Sequence, residues 1–330
     1  MNLHEQKENN MNTQKLVGVD THKDSLACYK ENEFKSFPTT SEGFLEALRW
    51  AGDAKWMIEG AYCFGRPFSA FLIKNGNEVY EVNPLLTKTW RSALAVSNPK
   101  NDYGDAKVIS LLANPSNTQK VSLKTIHLKE KLSARELLVK QKTELTNSIK
   151  MLYAARGEDL PLNNCTTKKA ICWLEQQSDI VVCTKVRVLK EILAAIAELD
   201  AQIIQSLPEK AKRLKTLKGI SDITAAVIYT ETKGKLLSAA KLASYTGVAP
   251  VECSSGRISR HRNNKSGNRR LNSVFYRLSI AQRRFDENAG AYYEKKLSEG
   301  KSPRHARKSL SRQLVRISST SSKKIDVNFL

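Results

Sequence analysis

Four acidic residues occupy positions from which side chains could bind metal ions. Asp20 and Glu59 each end a short apolar run, so each lies at the carboxyl end of a predicted strand. Asp102 and Asp105 are three residues apart at the start of a predicted helix, on neighbouring positions of one face. Four gathered carboxylates repel one another unless divalent cations such as Mg²⁺ or Mn²⁺ neutralise them, and two such ions can assist phosphoryl transfer. Acids also stabilise a helix N-terminus, so the spacing alone leaves both interpretations open.

A strong excess of positive charge indicates a polyanionic partner. The 330 residues include 54 lysines and arginines against 33 aspartates and glutamates, a formal net charge of +21, and residues 257–316 hold 17 basic residues against four acids. Charge clustered in this way suits the phosphate backbone of a nucleic acid, which it positions without reading sequence. The residues that we predict to contact this backbone are Arg257, Arg260, Arg262, Lys265, Arg269 and Arg270.

A glycine turn at Lys218 and Gly219 is a second candidate for backbone contact. Residues 218–226 are similar to a helix-hairpin-helix turn, in which the N–H groups of a helix N-terminus hold a phosphate. A plain connection between two helices has the same pattern, so both interpretations stay open.

The hydrophobic pattern predicts three zones that position these residues. Residues 14–115 alternate strand-like and helix-like runs, which is typical of an α/β domain. Residues 125–215 follow a helical period and form a predicted linker, and residues 216–317 form a predicted, mainly α-helical domain. The polar ends, residues 1–13 and 318–330, are predicted to be disordered.

Within the linker, five apolar residues are spaced alternately three and four positions apart: Leu189, Ile192, Ile196, Leu199 and Ile203. This is the spacing of a coiled-coil seam. It fits a helical hairpin within one chain and a coiled coil between two chains equally well.

The six cysteines contain no Cys-x-x-Cys pair, which argues against a zinc site and a disulfide framework. The N-terminus is polar, without the apolar core of a signal peptide, and no apolar run is long enough to span a membrane. We therefore expect a cytoplasmic protein without a membrane partner.

Several segments resemble the DEDD transposases, which are insertion-sequence enzymes related to the Piv-type DNA invertases. In the first half they are VGVDTHKD at 17–24, IEG at 58–60, EVNP at 81–84 and NDYGDA at 101–106. In the second half they are GISDITA at 219–225, YTGVAP at 245–250, SSG at 254–256 and NKSGNRRL at 264–271. One segment departs from the pattern: after Glu59 the chain reads Gly-Ala-Tyr-Cys-Phe, where the family has a Thr/Ser-Gly pair followed by a Tyr.

The resemblance implies a RuvC-like (ribonuclease H-like) N-terminal domain, a helical linker and a C-terminal transposase domain. It implies that Asp20, Glu59, Asp102 and Asp105 bind the metal, and that Ser255 is the nucleophile, with Ser254 as the alternative. The implied activity is the cutting and rejoining of double-stranded DNA by attack of this serine on a backbone phosphate. A guide RNA encoded by the element, assembly as a homodimer or tetramer, and a bacterial, nucleoid-associated location are implied as well.

Two other functions remain compatible with the sequence. A structure-specific DNA nuclease of the RuvC kind needs the four acids but no serine. An inactive, transposase-derived nucleic-acid-binding protein needs neither, and the altered segment after Glu59 is the feature that favours it.

Overall fold

A computed structural model describes residues 15–94, 101–112, 118–234, 237–255, 258–264 and 267–320. The chain divides into two compact units, Met1–His127 and Leu128–Leu330. Of the predicted site residues, Arg257 and Lys265 lie outside the described residues, as do the side chains of Ser255 and Arg260.

The first unit is built on a mixed six-stranded sheet. Its strands are β1 (Lys15–Thr21), β2 (Ser25–Lys30), β3 (Glu33–Pro38), β4 (Ala54–Glu59), β5 (Val79–Val82) and β6 (Thr118–Lys120). The order across the sheet is β3-β2-β1-β4-β5-β6. Strands β1, β4 and β5 are parallel neighbours, whereas the pairs β1–β2, β2–β3 and β5–β6 are antiparallel. The carboxyl ends of β1 and β4 therefore lie at the same edge of the sheet.

Helices alternate with these strands, as the hydrophobic pattern predicts for an α/β domain. They are α1 (Ser41–Ala51), α2 (Arg66–Lys74), α3 (Pro84–Leu94) and α4 (Asp102–Leu111). The largest buried side chains of one core cluster, Trp56, Phe37 and Phe68, are essentially inaccessible to solvent. A mixed α/β sheet domain at the N-terminus is confirmed.

Helix α4 lies unusually close to the sheet at Gly18. A Cβ atom built on Gly18 would stand 2.2 Å from the carbonyl oxygen of Ala106 and 2.5 Å from the backbone nitrogen of Ser110. Only a residue without a side chain permits this approach. Gly18 thereby fixes α4 against the strand that carries Asp20.

From residue 123 onward the described chain is helical apart from one hairpin. The helices are α5 (Leu123–Arg156), α6 (Lys168–Glu175), α7 (Ile180–Gln205), α8 (Glu209–Lys212), α9 (Asp222–Glu231), α10 (Ala239–Tyr245), α11 (Arg269–Phe285), α12 (Glu287–Ser298) and α13 (Pro303–Thr320), with a 3₁₀ turn at Arg213–Thr216. The hairpin pairs β7 (Pro250–Ser255) with β8 (Ile258–Asn263). The mainly α-helical C-terminal region is confirmed.

The apolar residues of α7 are buried mainly at its two ends. Leu189 is fully buried in one cluster with Ile149 of α5, and Ile203 is fully buried in another with Leu128 and Leu132. The middle of the predicted seam, residues 192–199, is partly exposed. The first half of α7 thus packs as a hairpin within the chain, and a coiled coil between chains stays a prediction.

The C-terminal helix is longer than the sequence indicates. Helix α13 continues to Thr320, and Ser318 is only 3% exposed. The predicted disordered tail begins at residue 318, whereas the helix includes residues 318–320 and buries Ser318. Residues 1–13 and 321–330 lie outside the described residues. In the described chain, no helix combines the length and the apolar character needed to cross a membrane.

Candidate functional site

Three side chains with metal-binding atoms meet at the carboxyl edge of β1. The Nε2 atom of His22 lies 3.4 Å from Oδ2 of Asp20 and 3.4 Å from Oδ1 of Asp102. All three residues offer a ligand atom within 4.8 Å of the others. Asp20 and Asp102 were predicted to meet, and the structure brings them together.

Helix α4 supplies the second half of this edge. Asn101 caps it, because its side-chain oxygen accepts a hydrogen bond of 2.7 Å from the backbone N–H of Gly104. The cap starts the helix at Asp102, so that Asp102 and Asp105 both fall in its first turn. Asp105 is buried, whereas Asp102 is exposed.

The pKa of the Asp20 carboxyl group is shifted by its surroundings in the cluster. Burial raises its pKa above the ordinary value, the neighbouring His22 lowers it, and the charges of Asp105 and Asp102 raise it again. Burial is the largest cause of the raised pKa, and each of the two neighbouring carboxylates adds a smaller effect in the same direction. A bound divalent cation would stabilise the charged form of Asp20.

Glu59 lies at the same edge of the sheet but is not part of the group of three. It ends β4, one residue beyond the pairing of Ile58 with Val19 of β1, and its carbonyl oxygen accepts a 3.1 Å hydrogen bond from the hydroxyl of Thr21. Among the described residues, the ligand atoms within 4.8 Å of one another come only from Asp20, His22 and Asp102. A metal-binding role for Glu59 stays a prediction.

The altered segment after Glu59 folds as part of the core. Gly60 has a positive φ of 70°, and the carbonyl oxygen of Gly60 accepts a hydrogen bond from the N–H of Cys63 at 2.7 Å. Ala61 and Tyr62 are buried, with 0% and 4% exposure, in the same cluster as Trp56. The departure from the family pattern therefore leaves a well-packed turn.

Sequence reasoning missed His22 as a member of the site. It stands two residues after Asp20, and in an extended chain such residues point to the same side. The two-residue spacing from Asp20 was the signal that could have identified His22.

The two candidate serines are the last two residues of strand β7. The side chain of Ser255 lies outside the described residues. Ser254 donates a hydrogen bond of 3.2 Å to Oε1 of Glu252, which precedes it by two positions. Ser255 pairs with Ile258 across the hairpin.

The predicted backbone contacts divide into two kinds. Arg262 and Arg269 are exposed, and each lines a surface cavity of the C-terminal region. Arg270 is half-buried and forms ion pairs with Glu136 and with buried Glu231, the latter at 3.0 Å. A phosphate contact at Arg270 stays a prediction.

The glycine turn at Lys218 forms as expected, with Gly219 at a φ of +86°. Its carbonyl and ammonium groups are engaged: the Lys218 oxygen accepts a hydrogen bond from Gln282, and its Nζ lies 3.5 Å from Asp286. Ser221 caps the following helix α9 through the backbone N–H of Thr224. A phosphate contact at Lys218 and Gly219 stays a prediction.

Comparison with known proteins assigns this site to a class. Residues 17–153 match the profile described as the DEDD transposase of the IS110 type, and residues 211–294 match the one described as Transposase IS116/IS110/IS902 family. Together the two matches span about two thirds of the chain and include the acids and the serines. The protein is thus a DNA transposase, an enzyme of DNA recombination.

More specifically, the chain belongs to the IS110 family of DEDD-type insertion-sequence transposases. No protein with a curated description matches it. Among solved structures, Enterococcus italicus Csm6 bound to cyclic hexa-2'-fluoro-hexa-dAMP is 11% identical over 86% of this chain and 72% of that one. The TM-score of 0.13 is too low to carry an argument about fold or function.

Proposed function

We propose that this transposase cuts and rejoins DNA by attack of Ser255 on a backbone phosphate at a RuvC-like metal site. One observation carries the proposal: Asp20, His22 and Asp102 converge within 4.8 Å at the carboxyl edge of the central sheet. The charge of buried Asp105 acts on the same carboxyl group. Convergence of acids from distant segments is what a metal-assisted phosphoryl transfer needs.

The sheet topology supports the RuvC-like part of the proposal. Three antiparallel strands, β1 to β3, are followed across the sheet by the parallel strands β4 and β5. This order fits the ribonuclease H-like fold that the resemblance implies. The acids lie on β1 and on the helix α4 that packs against it at Gly18.

The side chains at this edge fit a hard divalent cation. Asp20 and Asp102 offer carboxylate oxygens, with Asp105 near and Glu59 at the same edge, and oxygen is the ligand that Mg²⁺ and Mn²⁺ prefer. When bound, such an ion neutralises negative charge on the phosphate and on the oxygen that leaves it. Burial, and then the charges of Asp105 and Asp102, raise the pKa of Asp20, and a bound cation would favour its charged form instead.

In the proposed reaction, the Oγ atom of Ser255 bonds to phosphorus as the bond from phosphorus to the leaving DNA oxygen breaks. The serine proton ends on that oxygen, directly or through water, so the products are a DNA–serine ester and a free hydroxyl. A serine hydroxyl is a weak nucleophile without a base. Glu252 accepts a hydrogen bond from Ser254, which keeps Ser254 as the second candidate.

The partners in this proposal are double-stranded DNA and a guide RNA encoded by the element, handled by a homodimer or tetramer. The formal net charge of +21 supports the binding of large polyanions such as these nucleic acids. Pairing of chains through the partly exposed middle of α7 is the proposed contact between subunits.

The test is a search by mass spectrometry for a covalent DNA–serine adduct, made with the full chain, its flanking RNA, target DNA and Mg²⁺. We expect an adduct at residue 255 that Ser255→Ala abolishes and Ser254→Ala leaves in place. Asp20→Asn should lower strand transfer by at least about 100-fold. An undiminished adduct in Ser255→Ala, or DNA cleavage by it at the normal rate, would favour Ser254 or a nuclease.

A further inference from the structure

Helix α13 (Pro303–Thr320) has one apolar and one cationic face. Its buried residues include Ala306, Leu310 and Leu314, each with 0% exposure, within the core of the C-terminal region. Basic residues recur every four positions on the other side, namely Arg304, Lys308, Arg312 and Arg316. Side chains at this spacing share one helix face, here named the basic face of α13.

Three adjoining cavities follow this face. The first, of about 580 Å³, reaches Arg304 and Lys308; the second, of about 450 Å³, shares Lys308 and reaches Arg312; the third, of about 480 Å³, shares Arg312 and reaches Arg316. Because neighbouring cavities share a lining residue, they form one groove, named here the α13 groove. Arg269 lines its first part and Arg262 its second.

The charge in the α13 groove is of one sign. In the part of the chain that the structure describes, no aspartate or glutamate lines any of the three cavities. Arg304 and Arg312 are exposed and take part in none of the ion pairs found among the described residues. Lys296 and Lys301 also line the groove, but Glu299 pairs with both.

This row of cations repels itself. Burial, and then the charge of Arg304, lower the pKa of Lys308. Such an arrangement is unfavourable unless a polyanion occupies it. The successive charges lie about 6 Å apart, and the face extends for about 18 Å.

An exposed aromatic ring stands in the first part of the groove. Tyr276 is 46% exposed and lines the cavity beside Arg304. The guanidinium of Arg307 lies over its ring at 5.4 Å and donates a 2.9 Å hydrogen bond to its hydroxyl. A cationic groove with an exposed, braced aromatic ring is typical of surfaces on which unpaired bases stack.

We propose that the α13 groove binds a single-stranded segment of nucleic acid of about five nucleotides, by its phosphodiester backbone and by stacking of a base on Tyr276. The proposal rests on the proposed function only in that the chain handles nucleic acid. It adds a surface built from residues other than those of the acidic cluster and the two serines. Since only one face of α13 is free, the contact positions a strand and reads no base edges.

The test measures binding without Mg²⁺, so that no chemistry intervenes. Fluorescence anisotropy of labelled single-stranded RNA, single-stranded DNA and duplex DNA of one sequence is followed against salt for the full chain. The test variant is Arg304→Gln with Arg312→Gln. The matched control, Arg49→Gln with Arg187→Gln, removes the same charge from two exposed arginines outside the groove.

We expect the groove variant to bind single strands about tenfold more weakly, with a salt slope lower by about 1.4, since each lost phosphate contact removes about 0.7. Tyr276→Leu should weaken single-strand binding about tenfold and leave duplex binding unchanged. Arg304→Lys with Arg312→Lys should keep the parent slope, which excludes a folding defect as the cause. Equal RNA and DNA affinity indicates backbone contacts alone, and a preference for RNA adds a 2′-hydroxyl contact.

Equal single-strand binding by the groove variant and the control would overturn the proposal. So would a loss confined to duplex DNA. These results are independent of the proposed reaction. A normal DNA–serine adduct with unchanged binding overturns the groove alone, whereas weakened binding without any adduct overturns the reaction alone.

Discussion

His22 and Asp102, which are far apart in sequence, meet at the edge of the central sheet, where Nε2 of the imidazole lies 3.4 Å from Oδ1 of the carboxylate. The same nitrogen lies 3.4 Å from Asp20. The imidazole thus stands between two acids that would otherwise face each other. A neutral imidazole is a common metal ligand, and carboxylate oxygens are ligands that suit Mn²⁺.

This contact predicts that His22 contributes to metal binding. His22→Ala should weaken Mn²⁺ binding about tenfold in titration calorimetry, because one of three clustered ligands is lost. The nitrogen coupling of bound Mn²⁺ in pulsed electron paramagnetic resonance should vanish as well. His127→Ala, which removes an exposed histidine outside the cluster, is the control. Retained nitrogen coupling in His22→Ala contradicts the prediction.

Asp20→Asn is expected to stabilise the metal-free protein at neutral pH. Burial raises the pKa of Asp20 in the fold, so the unfolded chain loses this proton at a lower pH than the folded chain does. The contribution of the Asp20 carboxyl group to the free energy of unfolding is therefore complete at low pH. It falls as the pH rises from the ordinary pKa of this group through its raised pKa in the fold. Denaturant unfolding against pH should show a flatter curve for Asp20→Asn above pH 4. An identical pH dependence in both proteins would count against the burial of this charge.

Arg269 and Arg270 are neighbours with different expected roles. Arg270→Gln should lower the free energy of unfolding by about 2 kcal/mol, because it leaves buried Glu231 without its cation. Arg269→Gln should leave stability within about 0.5 kcal/mol and lower the salt slope of nucleic-acid binding.

Two variants check the cause of the Arg270 effect. Glu231→Gln combined with Arg270→Gln should recover part of the lost stability, since the uncompensated charge is gone. The readout is the denaturant midpoint. If Arg270→Gln proves as stable as the parent, the ion pair does not hold this region together.

Gly18→Ala should disturb the site by displacing helix α4, which carries Asp102 and Asp105. The added methyl group would stand 2.2 Å from the Ala106 carbonyl oxygen, so α4 must move away from β1. We expect a loss of about 2–3 kcal/mol in unfolding free energy, together with weaker Mn²⁺ binding, because Asp102 and Asp105 move with the helix. Normal affinity for Mn²⁺ would show that the position of α4 is not critical.

Features that depend on residues close together in the sequence could be predicted, whereas those that depend on contacts between distant residues could not. Strands β1 and β4 and helices α1, α2 and α4 follow local apolar periods, so they could be predicted. The convergence of Asp20 with Asp102 could be suggested from strand ends, but the participation of His22 depends on how the chain turns after β1.

Ion pairs between residues that are far apart in the sequence were harder to predict. Arg270 belongs to a basic run, and nothing local indicates that Glu136 and Glu231 neutralise it. The basic face of α13 was visible as a four-residue period. The total charge of the C-terminal region does not reveal this period.

The division of the chain into two compact units has a genetic consequence, because the acids lie in one unit and the serines in the other. A chain with Asp20→Asn keeps an intact hydroxyl, and a chain with Ser255→Ala keeps an intact set of carboxylates. The proposed reaction makes each allele inactive alone, and co-expression would restore activity if the two parts of one reaction centre come from different subunits. If each subunit uses only its own acids and serine, the mixture would remain as inactive as either allele alone.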